Sequence, residues 1–308
     1  MKVLVTGGAG FIGSYVAKAY LDEGHDVIVV DNLSTGRRES VPDGAGFIEM
    51  DIRDDSIARV FEQEKFDVVN HLAAQMQVSY SVREPLIDAS INLLGTVNLL
   101  NASRNTGVRR FLFASSAGTV YGEQSVPSCD EEQPTRPLSP YGASKLSMEH
   151  YLYAFTACYG LETLAMRYAN VYGPGQNPHG EAGVVAIFLK KMFQGESPLI
   201  HGTGRQTRDY IYIDDVMRAN VLALQKSVSG VVNISTDVET SVVEVYEALR
   251  HATGFDIAAI HGPAKAGEPM RGRYNNKRAA TVLEWTPLVG LTEGIGRTVA
   301  WERGQRGE

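Results

Sequence analysis

Gly7-Gly8-Ala9-Gly10-Phe11-Ile12-Gly13 lies between the apolar run Val3-Leu4-Val5-Thr6 and an amphipathic stretch that begins at Phe11. A strand that enters a glycine-rich turn and leaves as a helix is the opening unit of a nucleotide-binding sheet. Glycine at 7, 10 and 13 permits the tight turn, the close approach of backbone to a pyrophosphate, and the packing of helix on strand. A diphosphate there would meet unpaired N–H groups and the positive end of the helix dipole. The glycines alone read equally well as an ordinary turn. What lifts the reading is Asp31, 18 residues after Gly13 at the end of the second apolar run, where a carboxylate can accept from both hydroxyls of an adenosine ribose. The same carboxylate repels a 2′-phosphate, so the pattern predicts NAD rather than NADP, with Arg37 and Arg38 read as solvated loop charges. Asp51 is placed either to meet the adenine or to cap the next helix.

Working outward, strands are expected at Lys2–Thr6, Asp26–Asp31, Gly46–Asp51, Asp67–Ala73 and Arg110–Ser115. Helices are expected at Phe11–Glu23, Asp54–Glu64, Pro85–Asn105 and Pro140–Tyr159. These strands are too uniformly apolar for a half-wet antiparallel sheet, and the alternation with helices predicts a doubly wound, parallel α/β sheet. After about Met166 the rhythm changes. The turn-rich loop Asn170–Gly180 precedes a helix from about Ala182 to Gln194, a strand at Pro198–His201 and a Gly/Arg-rich loop at Gly202–Asp209. A strand at Tyr210–Ile213, a helix from Asp214 and a strand at Val231–Ser235 follow. The tail reads as helical from Ser241 and from Thr292, with the loop Pro263–Gly272 between. The pattern predicts a dinucleotide-binding domain of residues 1–167 plus about 211–235. A smaller discontinuous lobe, about 168–210 and 236–308, should close over the carboxyl edge of the sheet, where such folds bind ligands.

Composition narrows the function classes. A formal charge of −7 argues against a nucleic-acid binder that works through bulk charge, and 44% hydrophobic with 21% charged residues is an ordinary globular balance. Cys129 and Cys158 fit neither a disulfide framework nor metal-ligand spacing, which favours a reducing compartment. The first residues reach glycine too soon for a signal-peptide core, and no apolar run approaches the roughly 20 residues of a bilayer span. The expectation is a cytoplasmic protein with neither membrane, nucleic acid nor metal as partner.

Ser139-Pro140-Tyr141-Gly142-Ala143-Ser144-Lys145 opens a predicted helix, and Tyr141 and Lys145, four apart, share one face. A nearby ammonium and the positive nicotinamide both favour phenolate, so the tyrosine pKa is expected to fall toward working pH, as a general base requires. Tyr-x-x-x-Lys is common by chance, and its bland reading is a surface pair. Behind a glycine-rich nucleotide site it becomes a catalytic pair.

Further ordered matches extend along the chain: Asp31-Asn32-Leu33-Ser34-Thr35-Gly36, Asp51-Ile52-Arg53-Asp54, His71-Leu72-Ala73-Ala74-Gln75, Asn92, Ser115-Ser116 with Val120-Tyr121-Gly122, Arg167-Tyr168-Ala169-Asn170-Val171-Tyr172-Gly173-Pro174, and Thr207-Arg208-Asp209-Tyr210. With the glycine loop and the Tyr141/Lys145 pair, the chain resembles, over essentially its whole length, the extended short-chain dehydrogenase/reductases of Rossmann fold. Within them it resembles the NAD-dependent nucleotide-sugar epimerases and dehydratases. The resemblance implies that Gly7, Gly10, Phe11, Ile12, Gly13, Asp31 to Gly36, Asp51, Ile52, Leu72, Ala73, Ala74, Gln75, Asn92, Ser115, Lys145 and Tyr168 line NAD. It implies Tyr141 as the acid/base and Lys145 as a holder of the nicotinamide ribose. Asn170, Val185, His201, Arg208, Lys265, Glu268, Arg271 and Gly272 would face the nucleotide-diphosphate sugar, and Arg208 can meet the diphosphate with a bidentate fork. A homodimer is also implied, paired through the helices Pro85–Asn105 and Pro140–Tyr159.

Members begin alike: tyrosine takes the sugar 4-hydroxyl proton while hydride passes from C4 to NAD, giving a 4-keto sugar. Family dehydratases carry an Asp-Glu pair just before Val-Tyr-Gly, and UDP-glucuronate decarboxylases a glutamate at the position of Thr119. This chain reads Ala117-Gly118-Thr119, with no carboxylate. That leaves 4-epimerisation, most simply of UDP-glucose and UDP-galactose. A UDP-glucuronate or UDP-N-acetylhexosamine 4-epimerase, a dehydratase, or an NAD-binding regulatory protein with a degenerate site are the alternatives. Ala117 stands where sugar 4-epimerases usually carry a serine or threonine, so Ser116 or Thr119 must supply that hydroxyl or the step loses about 1–3 kcal/mol. Three more departures touch the sugar side. His201 replaces an aromatic ring, Lys265 replaces an arginine, and Gly272 replaces a bulky tyrosine and leaves room at C2.

Overall fold

In the computed structural model, which describes residues 1–178, 183–264 and 269–307, the apolar runs pair into one parallel sheet. Its strands are β1 (Lys2–Thr6), β2 (Asp26–Asp31), β3 (Gly46–Glu49), β4 (Val68–His71), β5 (Arg110–Ser116), β6 (Glu162–Tyr168) and β7 (Gly230–Ile234). They lie in the order β7-β6-β5-β4-β1-β2-β3 with every neighbouring pair parallel. The winding reverses between β1 and β4, so the loops that follow these two strands diverge and open a crevice at the sheet's carboxyl edge.

The period-2 alternation of a strand sends neighbours to opposite faces. Val3, Val5, Val27 and Val29 pack with Val16 and Tyr20 of the helix Phe11–Asp22 and with Val216, Ala219 and Ala223 of the helix Ile213–Gln225. Leu4, Ile28, Val30, Phe111 and Phe113 face the other way. They meet Phe61, Leu99, Leu100, Met148 and Leu152 from the helices Ile57–Glu64, Thr96–Thr106 and Pro140–Tyr159. Coverage of both faces is why these strands read as continuous apolar runs. Each fully buried valine or leucine contributes roughly 1.5–3 kcal/mol.

A third core holds Val185, Phe188, Leu189, Ile200, Tyr210, Tyr212, Val245, Leu249, Ile295 and Val299. It joins the helices Val184–Phe193, Val242–Thr253 and Leu291–Arg306 to the short strands Leu199–His201 and Tyr210–Tyr212. The tail does not belong wholly to it. Tyr274, Ala279, Leu283 and Trp285, assigned from the sequence to the lobe, pack into the core of the sheet.

Helix ends follow local chemistry. Ser139 Oγ accepts from Gly142 N at 3.1 Å, Pro140 opens the first turn, and Gly160 closes the helix at φ 72°. The helix expected as one piece over Pro85–Asn105 is instead Pro85–Ala89, a π-helical stretch Ser90–Gly95, and Thr96–Thr106. The widened turn carries Asn92, and Gly95 sits where a Cβ would lie 2.7 Å from Ile52 Cδ1. The sequence reading also passed over strand β6 and the helices Val78–Arg83 and Lys277–Val282. Among the described residues no helix is long and apolar enough to cross a membrane.

Candidate active site

The glycine turn is built by contact. Gly7 has φ +71°, and a Cβ on it would lie 2.6 Å from Ala73 N. A Cβ on Gly13 would lie 2.1 Å from Gly7 O. Gly10 caps the helix with no side-chain bond, which leaves its first turn without a capping oxygen. Asp31, nearly buried, accepts from Ala9 N at 3.0 Å and Leu33 N at 2.9 Å, and each carboxylate oxygen keeps a second lone pair toward a ligand. The chain after β2 therefore folds back over the glycine turn, and Arg37 N bonds to Ala9 O. Arg38 stacks over Phe47 at 4.4 Å, as a loop charge would. Asp51 accepts from Arg53 and from Asn32 Nδ2, and Arg53 holds its carboxyl far below the usual carboxylate range.

The end of β4 is held by a buried chain of hydroxyls. His71 Nδ1 lies 2.7 Å from Thr6 Oγ1 and Nε2 lies 2.8 Å from Thr96 Oγ1. Thr96 donates to Asn92 O, so its oxygen accepts from Nε2–H and Nδ1 accepts from Thr6. Burial keeps this imidazole neutral, its pKa pulled down to about 3. Gln75 N donates to Asn92 Oδ1 and Asn92 Nδ2 donates to Gln75 O, both at 2.9 Å. This pairing fixes the loop after β4 to the π-helical turn.

Tyr141 and Lys145 emerge one turn apart beside the end of β5. Lys145 Nζ donates to Ala114 O at 2.8 Å and lies 4.7 Å from the centre of the Phe113 ring. Burial pulls its pKa down to about 8, against the carboxylates of Asp88 and Glu149. Ser116, at the end of β5, is near enough to Tyr141 to favour its ionised form. The expected fall of the tyrosine pKa is not what the protein's own groups produce. Burial pushes it up and Asp88 adds to the rise, while the nearby Ser116 hydroxyl opposes both. The ammonium expected to lower it is turned to Ala114 and Phe113.

Close by, Thr119 Oγ1 and Asn170 Oδ1 are buried without a hydrogen-bond partner; Gly118 lies between Asn170 Oδ1 and Ser116 Oγ, and Gly142 packs on Thr119 O. Buried polar atoms are rarely left unpaired, and a bound polar ligand is one way to satisfy them. Asn170 N bonds to Asp209 O at 2.9 Å, which ties this group to Arg208 next along the chain. Arg208 Nη1 donates to Thr207 O at 2.7 Å. Asp209 accepts from Thr236 N, Thr236 Oγ1 and Asp237 N, and burial raises its carboxyl pKa to about 6. A Cβ on Gly272 would lie 3.3 Å from Arg208 Cδ and 3.1 Å from Tyr274 Oη, and its φ lies outside the left-handed region.

Several expected residues stand elsewhere. Tyr168 points to the other face of the sheet, where its hydroxyl bonds to Asn220 in a buried cluster with Asn70 and Tyr20. Ser115 Oγ donates to Glu149, which also takes a two-point contact from Arg167. Val185 is 1% exposed in the lobe core. Arg271 is held by Glu239 at 2.8 Å, and His201 Nδ1 donates to Pro263 O at 3.2 Å. Lys265 and Glu268, like Ala182 at the expected start of a helix, lie outside the described residues. Asp88 and Glu149, both buried beside the site, were missed because a lone acidic residue carries no motif, and Asp209 was quoted in its matched stretch but given no role. Only the i, i+4 spacing of Asp88 and Asn92 could have drawn notice.

Among the described residues no cluster of side chains suits a metal ion. The glycine turn fits a dinucleotide diphosphate, because a Cβ at Gly7 would overlap the backbone of Leu72 and Ala73, and one at Gly13 the backbone of Gly7, so only glycine lets the main chain close up here.

The profile of the NAD dependent epimerase/dehydratase family matches residues 3–235. The UDP-glucose 4-epimerase of Mycolicibacterium smegmatis is 42% identical, across 98% of this chain and 99% of its own. The structure of UDP-glucose 4-epimerase from Thermotoga maritima, with UDP-glucose, superposes with a TM-score of 0.98 at 44% identity, covering 99% of this chain and 100% of that one. The Thermus thermophilus UDP-glucose 4-epimerase in complex with NAD gives a TM-score of 0.95 at 42% identity, covering 99% of each chain.

Proposed function

The chain belongs to the NAD dependent epimerase/dehydratase family, and from that premise we propose a UDP-sugar 4-epimerase that interconverts UDP-glucose and UDP-galactose with NAD held throughout. The observation that carries the reading is Tyr141 on the helix Pro140–Tyr159 with Lys145 one turn on, next to a stretch, Ala117–Thr119, that offers no carboxylate. Relatives named for this activity support it.

When bound, NAD supplies the two-electron oxidation of the sugar's C4 carbon and its reversal. Gly7, Gly10, Phe11 and Ile12 hold the diphosphate at the helix N-terminus, Asp31 accepts from the adenosine ribose, and Gln75, Asn92 and Lys145 border the nicotinamide half. Tyr141 takes the 4-hydroxyl proton at its phenolic oxygen and gives it back to the 4-oxygen after the sugar has turned. Ser116 supplies the hydroxyl that Ala117 cannot, by donating to the Tyr141 phenolate before it takes the proton and again once the proton has been returned. Thr119 Oγ1 and Asn170 Oδ1 present polar atoms to the sugar, and Arg208 meets its diphosphate.

A second substrate class, UDP-N-acetylhexosamines, is favoured by one observation: position 272 carries no side chain beside Arg208. We assign residues 1–167 and about 211–235 to the cofactor domain, joined by residues 274–285. Residues about 168–210 and the rest of 236–308 form the sugar lobe. A homodimer is supported by apolar side chains left exposed on the two expected pairing helices and the short helix Val78–Arg83 before them: Val82, Leu86 (85% exposed), Leu94 and Tyr153 (77%). The unpaired thiols of Cys129 and Cys158 suit the cytoplasm.

The test is a UDP-sugar panel followed by NMR. Interconversion of UDP-glucose and UDP-galactose is expected. A 4-keto-6-deoxy product, or no turnover of any UDP-hexose by protein that retains NAD, overturns the reading.

A further inference from the structure

Asp88 has no place in the chemistry described so far. It sits on the short helix Pro85–Ala89, wholly buried, and three side chains donate to it. Gln75 Nε2 and Asn92 Nδ2 reach Oδ1 at 2.9 Å each, and Ser144 Oγ reaches Oδ2 at 2.6 Å. Gln75 and Asn92 form the cofactor-side clasp between the loop after β4 and the π-helical turn. Ser144 lies between Tyr141 and Lys145 on the helix that carries both. One carboxylate therefore joins the three segments that meet at the reacting centre.

We propose that Asp88 is the positioning residue of the Tyr141–Lys145 pair: its buried carboxylate clasps their helix, through Ser144, to the Gln75–Asn92 clasp and stands as a fixed negative charge beside both side chains. This rests on Tyr141 being the acid/base. A clasp alone needs acceptors and not a charge, and burying a carboxylate works against folding unless it is well bonded. The charge acts on the neighbours. It opposes the loss of the Lys145 proton on burial and makes the Tyr141 proton harder to remove.

The other charged and titratable groups around the pair are accounted for. Glu149, one turn beyond Lys145, is held by Arg167. His71 beneath is neutral. Arg83, on the helix Val78–Arg83, lies over the Tyr80 ring and near Glu84. Arg53, which reaches Ser90 Oγ, is engaged by Asp51.

The experiment is the pH dependence of kcat for the NAD-bound enzyme, read on three variants with their melting temperatures. Asp88→Asn keeps an oxygen for Gln75 and Asn92 and lets Ser144 accept instead of donate. Both limbs of its profile should move about one unit toward acid, because Tyr141 ionises more easily and Lys145 loses its proton earlier. Ser144→Ala breaks the clasp and keeps the charge. Its limbs should stay where they are in the parent while kcat falls about tenfold. Asp88→Asn limbs that coincide with the parent's, or Ser144→Ala at full kcat, overturn the proposal. Tyr141→Phe is the control. Near-parental turnover by it would mean that the acid/base assignment has failed, and that outcome is distinct from a failure of Asp88.

Discussion

Lys145 donates its ammonium to the main-chain oxygen of Ala114, 2.8 Å away on β5, rather than to the tyrosine four residues before it. The cation is thus a fixture of the strand edge, and the nearby Ser116 hydroxyl is the group that favours ionisation of Tyr141. Replacing Tyr141 by Phe removes the oxygen that carries the proton and leaves the glycine turn untouched. Turnover should fall by about 10²–10⁴-fold, while denatured protein still releases NAD in parental amount. Near-parental epimerisation would remove Tyr141 from its role.

The same anchoring sets an alkaline limit. The Lys145 pKa, lowered to about 8 by burial, means that the side chain gives up its proton two or more units below the usual lysine value of 10.5. kcat/KM in the free enzyme should therefore decline above about pH 8. Stability runs the other way: between about 8 and 10.5 the unfolded chain binds more protons at this site, so this group favours the fold increasingly as pH rises. A Lys145→Met variant should lose that pH dependence of the melting temperature, and its persistence in the variant would count against Lys145 as the source.

Much of this was legible in the residues. β1 and β2 fall at their expected bounds because β-branched runs end at a glycine turn and at Asp31. The helix Pro140–Tyr159 does so because Ser139, Pro140 and Gly160 mark its ends. β6 escaped notice because its buried Thr163 and Arg167 break the apolar run. Their partners, Thr156 and Glu149, lie on a helix whose packing no local window reveals. The Tyr141/Lys145 spacing is local and was readable, whereas Asp88 meets Ser144 across 56 residues. Tyr168 was assigned to the cofactor by its neighbourhood in sequence, but the alternation of β6 turns it to the opposite face.

His71 predicts the acid limb of stability. Its folded pKa is about 3 against 6.5 for the unfolded residue, so the unfolded chain binds more protons between those values. The neutral imidazole's contribution is complete above about pH 6.5 and is lost as pH falls toward 3, with a slope of up to about 1.4 kcal/mol per pH unit. Asp209, raised to about 6, contributes the opposite slope from about pH 6 down to its unfolded value of 3.8. His71→Gln should flatten the loss of stability in urea melts most clearly between pH 6.5 and 6, where Asp209 contributes least. An unchanged slope there would show that the imidazole is not the titrating group.

The exposed apolar side chains make the assembly testable. Leu86→Glu with Tyr153→Glu places two charges on the face proposed for pairing, where both side chains lie open in the single chain. Light scattering should give a dimer for the parent and a monomer for the double variant at micromolar concentration. A monomeric parent would end the proposal.

Gly272 offers the sharpest test of substrate range. Its φ lies outside the left-handed region, so a side chain costs no backbone strain there and the backbone itself does not require glycine. What a side chain meets is Arg208 Cδ at 3.3 Å, Tyr274 Oη at 3.1 Å and Thr207 O at 3.4 Å. A methyl group presses on the arginine assigned to the diphosphate, which every UDP-sugar carries. Gly272→Ala should therefore raise KM for UDP-glucose and for UDP-N-acetylglucosamine by the same factor, with kcat and melting temperature held. Gly272→Tyr adds a ring that extends beyond that contact toward the sugar. Turnover of UDP-N-acetylglucosamine should then fall further than that of UDP-glucose, because only the N-acetyl group occupies the space the ring fills. Equal losses on the two substrates in Gly272→Tyr would mean that the position acts through Arg208 alone. Failure of the parent to accept UDP-N-acetylglucosamine would show that room at position 272 does not set the substrate range.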